Sequence, residues 1–301
     1  MKIGNVKFDL SYYTNEDFYS DGDIELEILE MVKNDFNIDG IIKSDNRWPV
    51  LYHLSPARRN LLESFEFPAK SSVLEIGAGC GGITSVLCDK FDSVTSIELS
   101  KRRAEILAHR NKNRENLEVI VGNLNDIELD KKFDFVTLIG VLEYAGKYTE
   151  GREPYKDFLL ATRELLNENG QLIIAIENKF GLKYWAGFRE DHLGTYFTGL
   201  EGYDEKLGLC TFSKKELGDL VSSAGFEVQK FYYPMPDYKF PTKIFSDDYK
   251  LFMHELDTRF RNFDADRVKL FDEMSVLKNI AQNDKFDFFA NSFLVFAKKE
   301  G

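Results

Sequence analysis

The alternation of short apolar runs with amphipathic stretches constrains the fold of this chain most strongly. From Ser71 onwards, short runs rich in β-branched residues are separated by segments with apolar residues at helical spacing. Such alternation indicates βαβ units, and continuously apolar runs are typical of parallel strands covered on both faces. The sequence therefore predicts a doubly wound α/β sheet. Its strands lie at residues 73–76, 94–97, 117–121, 135–139 and 172–176, with helices at about 82–90, 101–113 and 155–167.

The remaining segments predict additions to this sheet. Residues 1–70 are predicted to form an N-terminal helical cap segment, in which Ser55 and Pro56 suit the start of a helix. Residues 71–301 are predicted to form one domain with insertions at about 178–211 and 234–290. Between the insertions, Ser213 and Glu216 match a capping box at a helix start. Further strands are expected at residues 226–233 and 292–298.

Composition excludes several classes of protein. The 301 residues carry 39 Lys plus Arg against 51 Asp plus Glu, a formal charge of −12, which disfavours nucleic-acid binding. With only three cysteines, at Cys80, Cys88 and Cys210, the chain has no disulfide framework and no zinc-like spacing. Neither a signal peptide nor an 18-residue apolar run is visible, so we expect a cytoplasmic protein without a membrane span.

A glycine-rich loop between the first predicted strand and its helix carries the strongest local signal. Gly77, Gly79 and Gly82 satisfy the dinucleotide-binding pattern, which by itself suits a nicotinamide-dependent oxidoreductase. Glu75, however, precedes the loop, and a carboxylate there repels a pyrophosphate but suits a cationic group. Glu98 ends the next strand, where a carboxylate can grip ribose hydroxyls. Together these features favour S-adenosylmethionine, which is cationic and lacks phosphate.

Residues 71–177 resemble class I S-adenosylmethionine-dependent methyltransferases. The resemblance rests on the E-x-G-x-G-x-G loop, the acid at the end of the second strand and the order of the later strands. It implies a seven-stranded Rossmann-like sheet whose last strand is antiparallel, and S-adenosylmethionine as cofactor. The cofactor-binding residues that it implies are Glu75, Gly77, Ala78, Gly79, Gly81, Glu98, Leu99, Asn123, Leu124 and Leu142.

The same resemblance implies where the reaction takes place. Glu143 and Tyr144 follow the fourth strand and line the junction with the methyl acceptor, although many relatives have His where Tyr144 stands. Residues 48–55 and 176–192 are further similar to bacterial methyltransferase domains associated with polysaccharide glycosyltransferases. That narrower similarity implies a saccharide or a related small molecule as acceptor.

Methylation of a hydroxyl requires a base. His192 is the favoured base because it follows the fifth strand, beside Glu190 and Asp191. With it we predict Glu143 and Tyr144 as catalytic residues. A Mg²⁺ site at Glu177, Glu190, Asp191 and His192 is disfavoured because consecutive residues rarely converge on one ion, so no metal is predicted. The predicted acceptor-binding residues are His53, Tyr184, Trp185 and Tyr196.

Three alternatives remain open at this point. The acceptor group is an amine of a small molecule or peptide, the chain is a non-catalytic cofactor-binding module of a polysaccharide-assembly complex, or the cofactor is a nicotinamide. A homodimer is possible through a loose apolar stripe at Leu251, Phe252, Leu256, Phe260 and Phe263.

Overall fold

The structure is a computed structural model that describes residues 1–15, 21–248, 255–256 and 267–301. Most of the apolar stripe considered for a homodimer lies outside the described residues; of its members only Leu256 is described, and it is buried. Within the described ranges no helix is both long and apolar enough to cross a membrane. All three cysteines are free thiols.

The described chain divides into two compact units. Unit 1 comprises Met1–Ile139 and Leu165–Gly170, and unit 2 comprises Gly140–Glu164 and Gln171–Gly301. The strands of the described residues are β1 (Lys2–Ile3), β2 (Val6–Asp9), β3 (Ser72–Ile76), β4 (Ser93–Glu98), β5 (Leu117–Val121), β6 (Phe133–Ile139), β7 (Leu166–Glu177), β8 (Phe226–Met235), β9 (Lys243–Ser246) and β10 (Ser292–Lys299).

The α-helices are short and concentrated between strands. Single 3₁₀ turns precede or connect several of them, including Pro56–Arg59 and Leu142–Tyr144. The α-helices are α1 (Ile24–Lys33), α2 (Ile38–Ser44), α3 (Trp48–Leu54), α4 (Asn60–Glu63), α5 (Thr84–Lys90), α6 (Lys101–Arg110), α7 (Ala145–Tyr148), α8 (Pro154–Glu164), α9 (Leu182–Trp185), α10 (Thr198–Glu201), α11 (Lys214–Ser223), α12 (Glu273–Gln282) and α13 (Phe286–Phe289).

The strands hydrogen-bond in the order β1-β2-β5-β4-β3-β6-β7-β10-β8-β9, so the sheet has ten strands rather than the predicted seven. In unit 1, β5, β4, β3 and β6 pair in parallel, as the apolar runs predict. β2, which the runs do not predict, also pairs in parallel with β5. In unit 2, β10 is antiparallel to both β7 and β8, which confirms the predicted direction of the last strand. The three strands beyond the prediction are β1, β2 and β9.

The N-terminal segment contains strands as well as the predicted helices. β1 and β2 form a hairpin, and β2 joins the sheet beside β5. The apolar stripe of α1 then packs with α3 and α6 around a buried cluster that includes Ile28, Val50 and Ile106. Burying this stripe anchors the segment by removing apolar surface from water.

Two helix starts follow the sequence closely. Ser55 Oγ accepts a hydrogen bond from the backbone N–H of Ala57 and caps the 3₁₀ turn that begins at Pro56. Ser213 and Glu216 form the predicted capping box at the start of α11. Side-chain caps of this kind satisfy backbone donors that the helix itself leaves free, which is why they are visible in the sequence.

Candidate functional site

The glycine loop of unit 1 leaves β3 and turns sharply into α5. Gly77, Gly79 and Gly81 have φ values of 69°, 55° and 78°, a left-handed conformation that favours glycine. A Cβ atom built on Gly81 would lie 3.0 Å from Leu107 Cγ, so packing also requires a small residue there. A Cβ built on Gly79 would meet nothing within 4 Å. The loop therefore offers an open backbone surface at Gly79.

Glu75 lies in β3 just before this loop, and two side chains donate hydrogen bonds to its carboxylate. Its Oε2 atom accepts hydrogen bonds from Thr84 Oγ1 and Ser96 Oγ, each at 2.7 Å. Burial raises the pKa of the Glu75 carboxyl to about 7, against the two hydroxyls that favour its charged form, and nearby Glu98 raises it further. A cationic group brought close to Glu75 would reverse this effect and favour the carboxylate.

Glu98 ends β4 and connects two backbone segments of the candidate cofactor site. Its Oε2 accepts a hydrogen bond of 2.7 Å from the Gly79 N–H, and its Oε1 accepts one of 2.9 Å from the Ser100 N–H. Burial raises the pKa of the Glu98 carboxyl. Because a carboxylate has about four acceptor sites, both oxygens retain capacity for further donors, as ribose hydroxyls would be.

Arg58 is a candidate residue that the sequence analysis missed. A Cβ atom built on Gly82 would lie 2.7 Å from Arg58 Nε, so the side chain lies against the glycine loop. The guanidinium is buried and stacks over Tyr52 at 4.2 Å from the ring centroid. Among the described residues, Arg58 Nη1 has no hydrogen-bond partner. A buried donor without a partner beside a ligand-binding loop suits a carboxylate.

The other predicted cofactor residues differ in accessibility. Asn123 is half-buried and its Oδ1 accepts a bond from the Asn125 N–H, which caps a 3₁₀ turn beginning at Leu124. Leu99 is also half-buried, and Ala78 is buried. Leu142, in unit 2, is completely buried and so exposes no side-chain surface to a ligand.

Unit 2 contains a half-buried histidine whose side chain, only 7% exposed, is surrounded by carboxylates. His192 Nδ1 lies 2.8 Å from Glu190 Oε1, and Glu190 Oε2 accepts the backbone N–H groups of His192 and Leu193. His192 Nε2 lies 3.4 Å from Glu143 Oε1 and 3.8 Å from Glu177 Oε2. The histidine is thus held by one carboxylate and faces two others, which come from the ends of different elements.

These carboxylates control the charge of the cluster. Burial disfavours a charged imidazole, but Glu177, Glu143 and Glu190 outweigh it and raise the pKa of His192 well above its usual value. Burial, together with Glu177, raises the pKa of Glu143. Both Glu143 Oε2 and Glu177 Oε2 are buried without a hydrogen-bond partner among the described residues.

Two buried lysines form ion pairs with carboxylates of this cluster and with the neighbouring Asp191. Lys239 donates to Glu177 Oε1 and to Asp191 Oδ1. Lys183 Nζ lies 2.8 Å from Asp191 Oδ2 and 3.6 Å from Asp237 Oδ2. Although burial opposes it, this pair of ammonium groups keeps the pKa of Asp191 well below its usual value. The close partners of Asp191 are therefore the two lysines and the Tyr184 hydroxyl.

The predicted aromatic residues divide between this cluster and the surface. The Tyr144 ring packs edge-on against His192, with 5.3 Å between centroids. Tyr184 is buried, and its hydroxyl donates to Asp191 Oδ2 at 2.5 Å. Trp185 and Tyr196 are 45% and 41% exposed, and the Arg189 guanidinium lies over the Tyr196 ring at 4.4 Å from its centroid.

His53 occupies a different kind of environment, inside unit 1. The residue is buried, and its Nε2 lies 2.7 Å from Asp21 Oδ2. Arg103 bonds the same Asp21 oxygen and also donates from Nε to Glu25 Oε1 at 2.6 Å. This arrangement gives His53 a structural contact in the N-terminal segment rather than an open surface for an acceptor.

Comparisons with known proteins identify the family of this chain. The profile of a methyltransferase domain family matches residues 52–230. An uncharacterized methyltransferase of Staphylococcus carnosus is 32% identical over 114 residues, covering 38% of this chain and 51% of that protein. The ubiquinone biosynthesis O-methyltransferase of Pelagibacter ubique is 25% identical over 147 residues, covering 45% and 58%. The chain spans about half the length of these curated relatives.

A solved structure shares the fold at low identity. It is the Haemonchus contortus phosphoethanolamine N-methyltransferase 1 in complex with phosphoethanolamine and S-adenosylhomocysteine, with a TM-score of 0.50 and 14% identity over 93% of this chain and 49% of that one. The match of the methyltransferase domain model covers more than half of the chain and shows the class of protein. The chain belongs to the methyltransferase domain family, whose cofactor is S-adenosylmethionine.

Proposed function

We propose that this protein transfers the methyl group of S-adenosylmethionine to a hydroxyl of a saccharide or a related cell-surface precursor. The observation that carries this proposal is the cluster of His192 with Glu143 and Glu177, because removal of a hydroxyl proton needs buried, oriented acceptor atoms. The similarity of residues 48–55 and 176–192 to domains associated with polysaccharide glycosyltransferases supports a saccharide as acceptor.

The candidate cofactor residues fit a cationic ligand without phosphate. S-adenosylmethionine supplies a methyl group that its sulfonium activates for displacement. In this proposal Glu98 binds the ribose and Glu75 favours the positive charge near the glycine loop, while Arg58 Nη1 binds the carboxylate of the methionine part. Asn123 and Leu124 are the residues proposed for the adenine.

The acceptor residues in this proposal belong to unit 2. Glu190 holds the His192 ring by its Nδ1 atom. Because the raised pKa of His192 favours the protonated imidazole, its Nε2–H orients the acceptor hydroxyl, and the carboxylate oxygens of Glu143 and Glu177 take the hydroxyl proton. The Tyr144 ring fixes the imidazole from its edge. The exposed rings of Trp185 and Tyr196 suit stacking on a sugar.

Transfer of a deuterated methyl group tests this function directly. The purified chain is incubated with S-adenosylmethionine carrying a deuterated methyl group and with bacterial envelope saccharide precursors, free amines or peptides, followed by mass spectrometry of the products. We expect label on a saccharide oxygen and a large loss of transfer in His192→Ala. Label on nitrogen alone, or no transfer while S-adenosylhomocysteine binds, would overturn the proposal.

N-methylation is the second candidate function. The observation in its favour is the excess of carboxylates over lysines around His192, since a negative cluster attracts an ammonium group. Label found only on the amine or peptide substrates would select this alternative. Cofactor binding without any labelled product would instead support the non-catalytic module.

A further inference from the structure

We propose that Glu143, Glu177 and His192 of unit 2 bind a divalent transition-metal cation. The three side chains each offer one ligand atom, and these atoms all lie within 4.8 Å of one another. Glu143 comes from the turn after β6, Glu177 is the last residue of β7, and His192 follows α9. Two carboxylates and one imidazole from three separate segments thus converge on one point.

The spacing of these atoms suits a shared cation better than direct hydrogen bonds. His192 Nε2 is 3.4 Å from Glu143 Oε1 and 3.8 Å from Glu177 Oε2, whereas N–H···O bonds usually span about 2.7 to 3.2 Å. Two atoms bound to one cation at about 2.1 Å lie roughly 3.0 Å apart at a right angle and roughly 3.4 Å apart at the tetrahedral angle. The Glu143 spacing falls in that range and the Glu177 spacing lies slightly above it.

Unpartnered oxygens provide a second, independent observation. Glu143 and Glu177 are 1% and 0% exposed, and the Oε2 atom of each has no hydrogen-bond partner among the described residues. Glu177 Oε2 is the atom that faces His192 Nε2. Buried carboxylate oxygens are rarely left unpaired, because neither water nor a donor then compensates their charge. A cation bound at this point provides the missing partner.

The surrounding residues orient the three ligands as outer contacts of a metal site do. Glu190 takes the Nδ1 side of the imidazole, which directs Nε2 towards Glu143 and Glu177. Lys239 binds the outer oxygen of Glu177 and leaves Oε2 facing inward. In metal sites, a carboxylate on the far nitrogen of a ligating histidine fixes the tautomer and ring orientation in the same way.

Charge also favours a bound cation. Five buried or half-buried carboxylates lie around His192 and its neighbours. They are those of Glu143, Glu177, Glu190, Asp191 and Asp237. The lysines that pair with members of this group are Lys183 and Lys239. A divalent ion reduces the remaining negative charge, which burial makes costly.

The donor set indicates the class of ion. Imidazole suits zinc and the later transition metals, whereas carboxylates suit Mg²⁺ and Mn²⁺, so a mixed set points to Mn²⁺ or Zn²⁺ rather than Mg²⁺ or Ca²⁺. Three protein ligands leave at least one position open in a site of this kind. If the proposed function is correct, that open position suits an oxygen of the acceptor. With the metal bound, His192 Nε2 is a ligand, and the Glu143 carboxylate oxygen that does not bind the metal takes the hydroxyl proton. This part of the inference rests on the proposed function.

Metal binding is tested on the full chain without cofactor or acceptor. The protein is treated with a chelator, desalted and titrated with MnCl₂ or ZnCl₂ by calorimetry, with Mn²⁺ binding also followed by electron paramagnetic resonance. We expect one site per chain, at least tenfold weaker binding in both Glu143→Gln and Glu177→Gln, and unchanged binding in the control Glu118→Gln, whose carboxylate pairs with Lys131 in unit 1. Circular dichroism verifies that each variant is folded, and the metal should raise the Tm of only the wild type and the control.

The outcomes separate this inference from the proposed function. No stoichiometric binding to the wild type, or binding that both glutamate variants retain, would overturn the metal site. S-adenosylhomocysteine is titrated into the same samples. If it binds while Mn²⁺ and Zn²⁺ do not, the metal site fails and the methyltransferase proposal stands; if the metal binds and S-adenosylhomocysteine does not, the reverse holds.

Discussion

Each unit buries a histidine among carboxylates, and the two clusters neutralise their charge differently. In unit 1, Arg103 donates to both Glu25 and Asp21, and Asp21 also takes His53. In unit 2, His192 faces Glu143 and Glu177 across longer distances, and an oxygen of each glutamate lacks a partner among the described residues. The Arg103 guanidinium donates hydrogen bonds to the carboxylates of the first cluster, whereas in the second cluster Glu143 Oε2 and Glu177 Oε2 accept none from the described residues.

The pKa values of the two histidines are shifted in opposite directions. Burial lowers the pKa of His53 despite its contact with Asp21, and the positive charge of Arg103 adds to this. His192 is equally buried, yet Glu177, Glu143 and Glu190 raise its pKa well above the usual value. Similar residue composition therefore gives a structural cluster in one unit and a candidate binding site in the other. What distinguishes them is whether the carboxylates already have a cationic partner.

Removal of the guanidinium should have the largest effect. We expect Arg103→Met to lower the free energy of unfolding by about 3 kcal/mol, because the fully buried Glu25 loses its closest cationic partner and keeps only Arg102 at 3.9 Å. Urea unfolding followed by circular dichroism measures this loss. Arg103→Lys keeps a charge but not the planar fork, so it should cost less. A loss below about 1 kcal/mol in Arg103→Met would break the comparison between the two clusters.

Glu75 shows a third way to accommodate a buried acid, through protonation. Its pKa is raised to about 7 in the folded chain from a usual 4.5, so the folded state binds more protons than the unfolded state between these values. The stability that Glu75 contributes is complete below about pH 4.5 and is lost as pH rises through 7. From 1.36 kcal/mol per pKa unit, the total loss is about 3 kcal/mol.

Chemical denaturation of the wild type and Glu75→Gln across pH 4.5 to 8.5 measures this dependence. The difference in unfolding free energy between the two proteins should change in favour of the glutamine variant as pH rises. Thr84 and Ser96 can donate to either side chain, so they affect both proteins alike. A difference that does not change with pH would show that Glu75 ionises normally and is not held in a low-dielectric position.

Local patterns in the sequence were sufficient for the parallel strands and for the glycine loop. The runs that became β3 to β6 are continuously apolar because both faces of the sheet are covered, and the capping box at Ser213 is encoded within four residues. The hairpin of β1 and β2 was not predicted because two short strands at a sheet edge carry little periodicity. The number of strands, ten rather than seven, depended on such pairings.

The sequence predicts less of the candidate site, because the site is formed by residues that are far apart in the chain and meet only in the folded structure. His192 and Glu143 were selected from their places after strands, but the opposition of Glu177 to the same imidazole requires the folded chain. The sequence predicts that a carboxylate neighbour, Glu190 or Asp191, orients His192. Glu190 contacts the imidazole Nδ1 atom, whereas Asp191 pairs with Lys183 and Lys239. Arg58 is missed because the pair Arg58 and Arg59 matches no motif, although the sequence places it just after the Ser55 cap.

Neutral glutamine in place of Glu143 or Glu25 should affect stability less than the loss of the Arg103 guanidinium, and the two variants compare the clusters directly. In chelator-treated protein, we expect Glu143→Gln to change the free energy of unfolding by no more than about 1 kcal/mol, because it removes a buried charge with few compensating bonds. The matched variant Glu25→Gln should cost more, since Arg103 loses a close partner. Thermal and urea unfolding of both variants provide the measurement. Equal losses would contradict the distinction between the clusters.

Glu143→Gln should lose more methyl-transfer activity than Glu25→Gln, although it should lose less stability. Methyl transfer should fall about 100-fold or more in Glu143→Gln, as expected when a group that handles the acceptor proton is lost. Glu25→Gln should retain most of the transfer rate when measured under conditions in which it remains folded. The comparison requires single-turnover rates with saturating S-adenosylmethionine.

The smallest effect on stability is expected at the exposed aromatic residues of unit 2. Trp185 is 45% exposed, so Trp185→Ala should change the free energy of unfolding by less than about 0.5 kcal/mol. If its ring stacks on the acceptor, the KM for the acceptor should rise about tenfold, a loss of about 1.4 kcal/mol in binding, with kcat retained. Leu160→Ala, at a 40% exposed position on α8, provides the control and should leave both constants unchanged. An unchanged KM in Trp185→Ala would exclude this ring from the acceptor site and restrict acceptor recognition to other residues of unit 2.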